Sequence, residues 1–147
     1  KQAVAVASEA GEAFAFFQDM PDDMSQRIAR LKAAQRMRFV QEGDYLVAAS
    51  VIGAHEAEVC RMMLAMGCDV SFAGRQERGE FRLSGRARAD ADVSLAEIFS
   101  AVGAEFGGTG GGHDCAAGLS GKGDVEAALG ACVARTVEIL KARAKAK

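Results

Sequence analysis

Hydrophobic and polar positions along the chain predict two helices at the start, followed by an alternation of strands and helices. Residues 3–18 are rich in alanine and phenylalanine, which favours a helix buried over most of its surface. A proline interrupts this pattern, and apolar positions at helical spacing then predict a second helix. It begins at Asp23 or Ser25, either of which can cap it, runs to about Val40 and ends before Gly43.

Residues 45–52 form an almost continuously apolar run, which is typical of a strand buried on both faces. The pattern then predicts a helix over 55–66, a strand over 68–73, a polar turn over 74–79 and a strand over 80–89. A helix from Asp92 or Ser94 to Phe106 and a glycine-rich loop follow. The chain is predicted to end with a short strand over 116–119, a helix from Asp124 to Leu140 and a fraying tail over 141–147. This order predicts an α/β fold with a mixed β-sheet of about four to five strands packed with helices, preceded by two N-terminal helices. We therefore expect an N-terminal helical segment over 1–42 and a domain over 43–147.

The composition supports a domain with its own hydrophobic core. The 147 residues are 50% hydrophobic, and a net charge of -2 argues against generic binding of a polyanion while permitting a local basic patch. The four cysteines match no zinc module, so we expect reduced thiols and a cytoplasmic protein. No apolar run is long enough to span a bilayer, so we expect no membrane partner. The chain does not begin with methionine, and we expect it to be a piece of a longer protein.

The stretch 107–118 is the strongest candidate for a ligand-contacting loop. Six of its twelve residues are glycine, which costs chain entropy and lets a ligand approach the backbone. Successive unshielded amides can bind an anion, and His113 adds a donor or a ring that can stack on a base. A dinucleotide-binding pattern is excluded because His113 stands at its third glycine position, and a phosphate-binding loop is excluded because Gly123 replaces its serine or threonine. The alternative is a histidine that only fixes the shape of its own loop.

A second candidate is the predicted strand that contains Ser84 and Arg86. Strand alternation places Arg82, Arg86 and Arg88 on one face, and the planar guanidinium suits a phosphate or carboxylate. A solvated strand face is the alternative explanation. If this strand meets the glycine-rich loop, the two would form a phosphate site.

Two other polar patterns are better explained by ordinary structure. The basic residues over 27–38 are more typical of an exposed helix face than of a nucleic-acid interface. Glu56 and Glu58 follow His55, but acidic residues in the first turn of a helix favour its dipole, and one histidine is weak evidence for a metal site.

Together, these residues resemble the C-terminal substrate-binding domain of the DHH phosphoesterases, known as the DHH-associated domain. That family carries a Gly-Gly-Gly-His run followed two residues later by Ala-Ala-Gly, and this chain has them at 110–113 and 116–118. It also carries an upstream Ser-x-Arg strand, which is similar to Ser84-Gly85-Arg86. The resemblance runs from about residue 45 to residue 140, and Thr109 adds one residue to the glycine run.

The resemblance implies that this domain holds a nucleotide while an N-terminal DHH domain, with a pair of manganese or magnesium ions, cleaves the phosphodiester. This chain has two histidines and no Asp-His-His run, so we expect neither metal ligands nor catalytic residues in it, and we expect it alone to bind weakly without catalysing. By resemblance, the substrate-binding residues are Ser84, Arg86, Gly110, Gly111, Gly112 and His113. The glycine amides would face a phosphate or sugar, His113 a phosphate or base, and Arg86 with Ser84 a phosphate.

We therefore expect the nucleotide- or nucleic-acid-binding domain of a DHH-type phosphodiesterase, either a RecJ-like exonuclease or an oligonucleotide phosphoesterase. Its expected partners are single-stranded nucleic acid, a short oligonucleotide or a nucleotide, and the DHH domain of the parent protein. Residues 1–42 are expected to form linker and packing helices or a homodimer contact. The main alternative is a regulatory or interaction domain that keeps the fold without binding a ligand. The third hypothesis is a small-molecule enzyme that uses His113 and Cys115.

Overall fold

The computed structural model describes residues 23–146, in which a six-stranded sheet lies between two pairs of helices. In chain order the elements are α1 (Met24–Arg36), β1 (Arg38–Glu42), β2 (Tyr45–Val51), α2 (Glu56–Met66), β3 (Val70–Glu77), β4 (Glu80–Ala87), a 3-10 turn (Ala89–Ala91), α3 (Leu95–Glu105), β5 (Thr109–Gly112), β6 (Ala116–Lys122) and α4 (Val125–Ala146). The helix predicted over 3–18 lies outside the described residues.

The strands are ordered β1-β2-β3-β4-β6-β5 across the sheet. β2 and β3 run parallel and are connected through α2, whereas every other neighbouring pair is antiparallel. The predicted α/β class with a mixed sheet is therefore confirmed. The sheet has six strands rather than four to five because β1 and β5 were not predicted.

Two apolar cores lie on opposite sides of the sheet. On the α2 side, α1 and α2 pack on the sheet around Ile52, Val59 and Met63. On the α3 side, α3 and α4 pack around the larger core, in which the rings of Phe72 and Phe99 have centroids 5.8 Å apart. α2 contacts β3 and β4, and no described helix covers β6 and β5 on the α2 side. The end of that sheet face formed by β6 and β5 is therefore open.

The predicted second helix begins as expected but ends earlier. The Asp23 carboxylate caps α1 by accepting the Ser25 N–H at 2.8 Å. Residues from Arg38 onward do not continue the helix, because they pair antiparallel with β2 and so form the edge strand β1. Gly43, with φ of 61°, then turns the chain back into β2.

The hairpin of β3 and β4 is confirmed, but its turn is shorter than the predicted 74–79. β3 continues to Glu77, and the turn consists of Arg78 and Gly79 with φ of 46° and 79°. Two consecutive positive φ values are typical of the type I′ turns that close two-residue hairpins. β4 also shows the predicted alternation of buried and exposed residues.

The last helix begins as predicted, and it continues as a regular helix to Ala146, where we expected a fraying tail from residue 141. The Asp124 carboxylate accepts the Ala127 N–H at 3.0 Å. Arg143 holds the C-terminal turns, because its Nη1 donates to the carbonyl oxygens of Ala91 and Asp92 at 2.8 and 2.7 Å. Although α4 has 22 residues, no helix within 23–146 is long and apolar enough to cross a membrane.

Candidate functional site

The glycine-rich stretch that we predicted as a loop is mostly a β-strand. Residues Thr109–Gly112 form β5, which pairs antiparallel with β6 at the end of the sheet. Residues 113–115 join the two strands, and the His113 N–H donates to the Ala116 carbonyl at 2.8 Å. The loop prediction was wrong because glycine is generally depleted in strands, whereas here α3 packs directly on β5.

Two of the predicted glycines are required by packing alone. A Cβ on Gly110 would lie 2.7 Å from the carbonyl oxygen of Phe99 in α3. A Cβ on Gly112 would lie 2.7 Å from the Ala117 Cα, and the φ of Gly112 is +142°, which side chains rarely permit. These glycines therefore have a structural reason that involves no ligand.

Gly111 and Gly118 have no such reason. A Cβ on Gly111 would meet nothing within 4 Å, and one on Gly118 would meet only the Leu83 carbonyl oxygen at an ordinary 3.6 Å. The two residues are direct partners across the β5–β6 hairpin, and both are exposed. Glycine inside a strand often marks a place where a ligand or another backbone approaches closely.

The sheet register places the predicted Ser84 and Arg86 beside these glycines. Ser84 is opposite Gly118, which is opposite Gly111, so the three residues form one row across β4, β6 and β5. Arg86 begins the next row, which ends at the hairpin turn that contains His113. The two candidates from the sequence therefore meet at one corner of the sheet.

These rows lie at the uncovered end of the α2 side, which β4 borders. We call this surface the open sheet face, and it consists of Arg82, Ser84 and Arg86 of β4, Gly118 and Ser120 of β6, and Thr109 and Gly111 of β5. A shallow pocket of about 190 Å³ lies on it, with Glu56 of α2 in its wall. A second pocket, of about 360 Å³, is also lined by Arg82, Thr109 and Ser120, and it extends to Lys122.

The open sheet face differs from the predicted set of residues in two ways. Gly110 faces α3 and Ala117 occupies the Cβ position of Gly112, so only the backbone of these two glycines can contribute to this surface, and His113 lies in the turn at its edge. Arg82, Thr109, Gly118 and Ser120 were absent from the predicted set. Two of these four residues had a signal in the sequence. Strand alternation grouped Arg82 with Arg86, and the Ala-Ala-Gly motif contains Gly118.

Polar groups on the open sheet face are free to bind an anion. The Ser84 hydroxyl and the Arg86 guanidinium make no hydrogen bond or ion pair with another residue of the described chain. Glu56 instead pairs with Arg75, whose Nε lies 2.8 Å from Glu56 Oε1 without the alignment of a hydrogen bond. The Nη1 of Arg75 also lies 3.2 Å from Glu77 Oε1, so the two glutamates share this arginine. Arg82 and Arg86 are therefore cations without an ion-pair partner in the described chain, and Glu77 and Glu80 line the second pocket beside them.

α3 fixes the β5–β6 hairpin at both of its ends. The Ser94 hydroxyl donates to the Asp114 carboxylate at 2.7 Å, and the Leu95 N–H donates to the Asp114 carbonyl at 2.9 Å. At the other end, the Gly108 N–H donates to the Gly103 carbonyl at 2.8 Å. Asp114 is thus a positioning residue of the hairpin that the sequence analysis did not identify.

The cysteines differ between the covered and open parts of the structure. Burial raises the pKa values of Cys60, Cys68 and Cys132 to about 12, which keeps these thiols protonated and unreactive at neutral pH. Cys60, in the core under α2, lies beside the open sheet face on the same side of the sheet, and its thiol donates to the Ser84 carbonyl oxygen at 3.3 Å. Cys115, in the hairpin turn, is exposed. The described residues contain no group of three or more side chains suited to a metal ion.

Comparison with known proteins connects this architecture to a family. The model of the DHHA1 domain matches residues 46–142. A protein of Methanocaldococcus jannaschii, the uncharacterized protein MJ0988, is 34% identical over 131 residues, covering 81% of this chain and 40% of that protein. The chain thus spans 40% of the length of the curated relative that it matches.

Two solved structures share the fold. The C-Ala domain of Aquifex aeolicus alanyl-tRNA synthetase superposes with a TM-score of 0.56 at 23% identity, covering 70% of this chain and 97% of that one. The pGpG-specific phosphodiesterase PggH of Vibrio cholerae superposes with a TM-score of 0.51 at 11% identity, covering 80% of this chain and 39% of that one. With the family match over most of the described residues, these findings show that the chain belongs to the DHHA1 domain family.

Proposed function

We propose that the open sheet face binds a nucleotide or a nucleic-acid strand for a DHH-type phosphodiesterase. The observation that carries the proposal is the pair Gly111 and Gly118, whose missing side chains leave space that no described residue fills. A sugar or phosphate can lie against the backbone there, within reach of the Ser84 hydroxyl and the Arg86 guanidinium. Arginine is suited to this contact because its planar fork donates two hydrogen bonds to one phosphate.

The rest of the enzyme is proposed to lie outside the described residues. The M. jannaschii relative is longer than this chain. A pGpG-specific phosphodiesterase has a region with the same fold as this chain. In this proposal a DHH domain of the parent protein holds manganese or magnesium and cleaves the phosphodiester, while the open sheet face holds the substrate opposite it. The four free cysteines suit a cytoplasmic protein.

The composition of the open sheet face favours contacts to phosphate and sugar over contacts to particular bases. It offers hydroxyls, guanidinium groups and exposed backbone, and it contains no aromatic side chain. The exposed His113 ring, at the edge of this surface, is the group proposed to contact a base or a phosphate. Both a RecJ-like exonuclease and an oligonucleotide phosphoesterase could use such a surface.

Titration of the chain with a nucleoside monophosphate and with a short single-stranded oligonucleotide tests the proposal. Amide resonances followed by heteronuclear NMR detect weak binding, and we expect those of Gly111 and Gly118 to shift. The substitution Gly118→Val fills the empty space, so it should weaken binding at least tenfold, a loss of about 1.4 kcal/mol. Because binding depends on arginine–phosphate contacts, affinity should also fall as salt is added.

Gly130→Val is the matched control, because a Cβ at Gly130 also meets nothing within 4 Å and this residue lies on α4, across the sheet. It should bind like the unmodified chain. Equal binding by Gly118→Val would remove the open sheet face as the site. A folded chain that binds neither ligand would instead favour a regulatory or interaction domain.

A further inference from the structure

β1 lies at the opposite end of the sheet from the β5–β6 hairpin, and its outer edge has no neighbouring strand among residues 23–146. An edge strand of this kind presents backbone N–H and C=O groups that another strand can pair with. Native proteins usually protect such edges with charges, bulges or a covering segment. The side chains of β1 show which kind of strand would fit it.

The exposed apolar residues of β1 favour contact with another surface. Phe39 is 65% exposed and Val40 is 42% exposed. Among the large hydrophobic residues exposed within residues 23–146, these two are the ones that lie in a strand. A groove of about 340 Å³ continues from this edge along α4, with Val40, Leu129 and Val133 among its walls. The edge and the groove together form an apolar strip that the described residues leave uncovered.

The sequence of β1 is complementary to itself in the antiparallel direction. If two copies pair about Val40, Arg38 of each chain stands opposite Glu42 of the other, and the two Val40 side chains meet at the centre. Arg38, Val40 and Glu42 point to the same side of the sheet, because β1 pairs with β2 in continuous register. Neither Arg38 nor Glu42 forms an ion pair with another residue of the described chain.

We propose that β1 is a homotypic contact through which two copies of this chain join their sheets about a two-fold axis. Such an isologous contact uses one surface twice, so each favourable pair occurs twice. A five-residue strand pair is a small interface, so the contact is a reversible, concentration-dependent dimer. It leaves both open sheet faces accessible, and it does not depend on the proposed nucleotide binding.

Charge exchange at Arg38 and Glu42, followed by sedimentation velocity over a concentration series, tests this contact. The chain should show a monomer–dimer equilibrium. Arg38→Glu and Glu42→Arg each place like charges opposite one another at two positions, so each should raise the dimer dissociation constant by about tenfold or more. The double variant Arg38→Glu/Glu42→Arg restores opposite charges and should recover the dimer. An equimolar mixture of the two single variants should form a heterodimer for the same reason.

A disulfide test reports the register directly. In a Cys115→Ser background, Val40→Cys should form an interchain disulfide under mild oxidation, because directly opposite Cβ atoms lie about 5 Å apart. Phe39→Cys is the matched control, because its counterpart on the partner is diagonal, at about 7–8 Å, and should cross-link far more slowly. A chain that stays monomeric throughout the series, or a dimer that neither single exchange weakens, would overturn the proposal.

Discussion

The two faces of the β5–β6 hairpin contain the same residue type for opposite reasons. Towards α3, Gly110 is glycine because the Phe99 carbonyl occupies the space of its Cβ. Towards the open sheet face, Gly111 and Gly118 have room for a side chain and lack one. The first face is explained by the packing of the chain itself. The second face has no such explanation in the described chain, and it is where we propose that a ligand approaches.

The difference shows how a glycine-rich motif can be divided into positions that the packing requires and positions that the packing leaves unexplained. Along a strand, successive residues point to opposite faces, so a run of glycines contributes alternately to each face. What a Cβ would contact at each position separates glycines that the fold requires from those that it tolerates. This division can be tested one position at a time.

The largest effect is expected at Gly110. Gly110→Val forces the first side-chain carbon against the backbone of α3, which cannot move without disturbing the core around Phe99. Overpacking of this kind should lower the free energy of unfolding by about 3 kcal/mol, measured by urea denaturation. An unchanged unfolding midpoint would mean that the hairpin and α3 are not packed as described.

A smaller effect, on binding rather than on stability, is expected at Arg86. Arg86→Ala removes an unpaired cation from the open sheet face and should raise the dissociation constant for a short oligonucleotide about tenfold, or by ~1.4 kcal/mol. Arg86→Lys should recover only part of the loss, because lysine cannot donate a two-pronged bond to a phosphate. Arg135→Ala makes the same change of charge on α4 and should leave binding unaltered.

A loss of about 1 kcal/mol in stability is expected for Ser94→Ala. The Ser94 hydroxyl caps α3, where it accepts the Glu97 N–H at 3.2 Å, and it also donates to the Asp114 carboxylate. Asp114→Ala and the double variant complete a mutant cycle that isolates the second contact. Additive losses in that cycle would show that Ser94 acts as a cap alone and does not hold the hairpin.

The smallest effect is expected at Gly111. Gly111→Val introduces the same side chain as the substitution at Gly110, one residue away but on the other face. Because nothing lies within 4 Å and valine suits strands, the free energy of unfolding should change by less than about 0.5 kcal/mol. A loss close to that of Gly110→Val would remove the distinction between the two faces.

Elements with a local signal were predictable from the sequence. Asp23, Ser94 and Asp124 each accept an amide hydrogen bond at the start of a helix, as their residue types indicated. β1 was missed because Arg38, its one basic residue, continues the pattern of α1, and because its strand character comes from pairing with β2. The extension of α4 was missed because Arg143 contacts residues about fifty positions earlier, which no local pattern reveals.

The site was predictable in its parts and not in its arrangement. The sequence indicated two separate parts of the site, the strand with Ser84 and Arg86 and the glycine-rich stretch, but not whether they meet. The register of β4, β6 and β5 shows that they lie side by side. The sequence could not distinguish Gly111 from Gly110, because their difference depends on α3, which packs on one side of the strand.

The attachment of the hairpin to α3 has a consequence for the energetics of recognition. Hydrogen bonds from Ser94 and Leu95 hold Asp114 in the turn, and the bond from Gly108 holds the beginning of β5. A glycine-rich segment left as a loose loop would lose conformational freedom when it closed on a ligand, and that loss would weaken binding. Here folding has already ordered the backbone. A ligand that meets this hairpin would be opposed by its own loss of freedom and not, in addition, by that of the hairpin backbone.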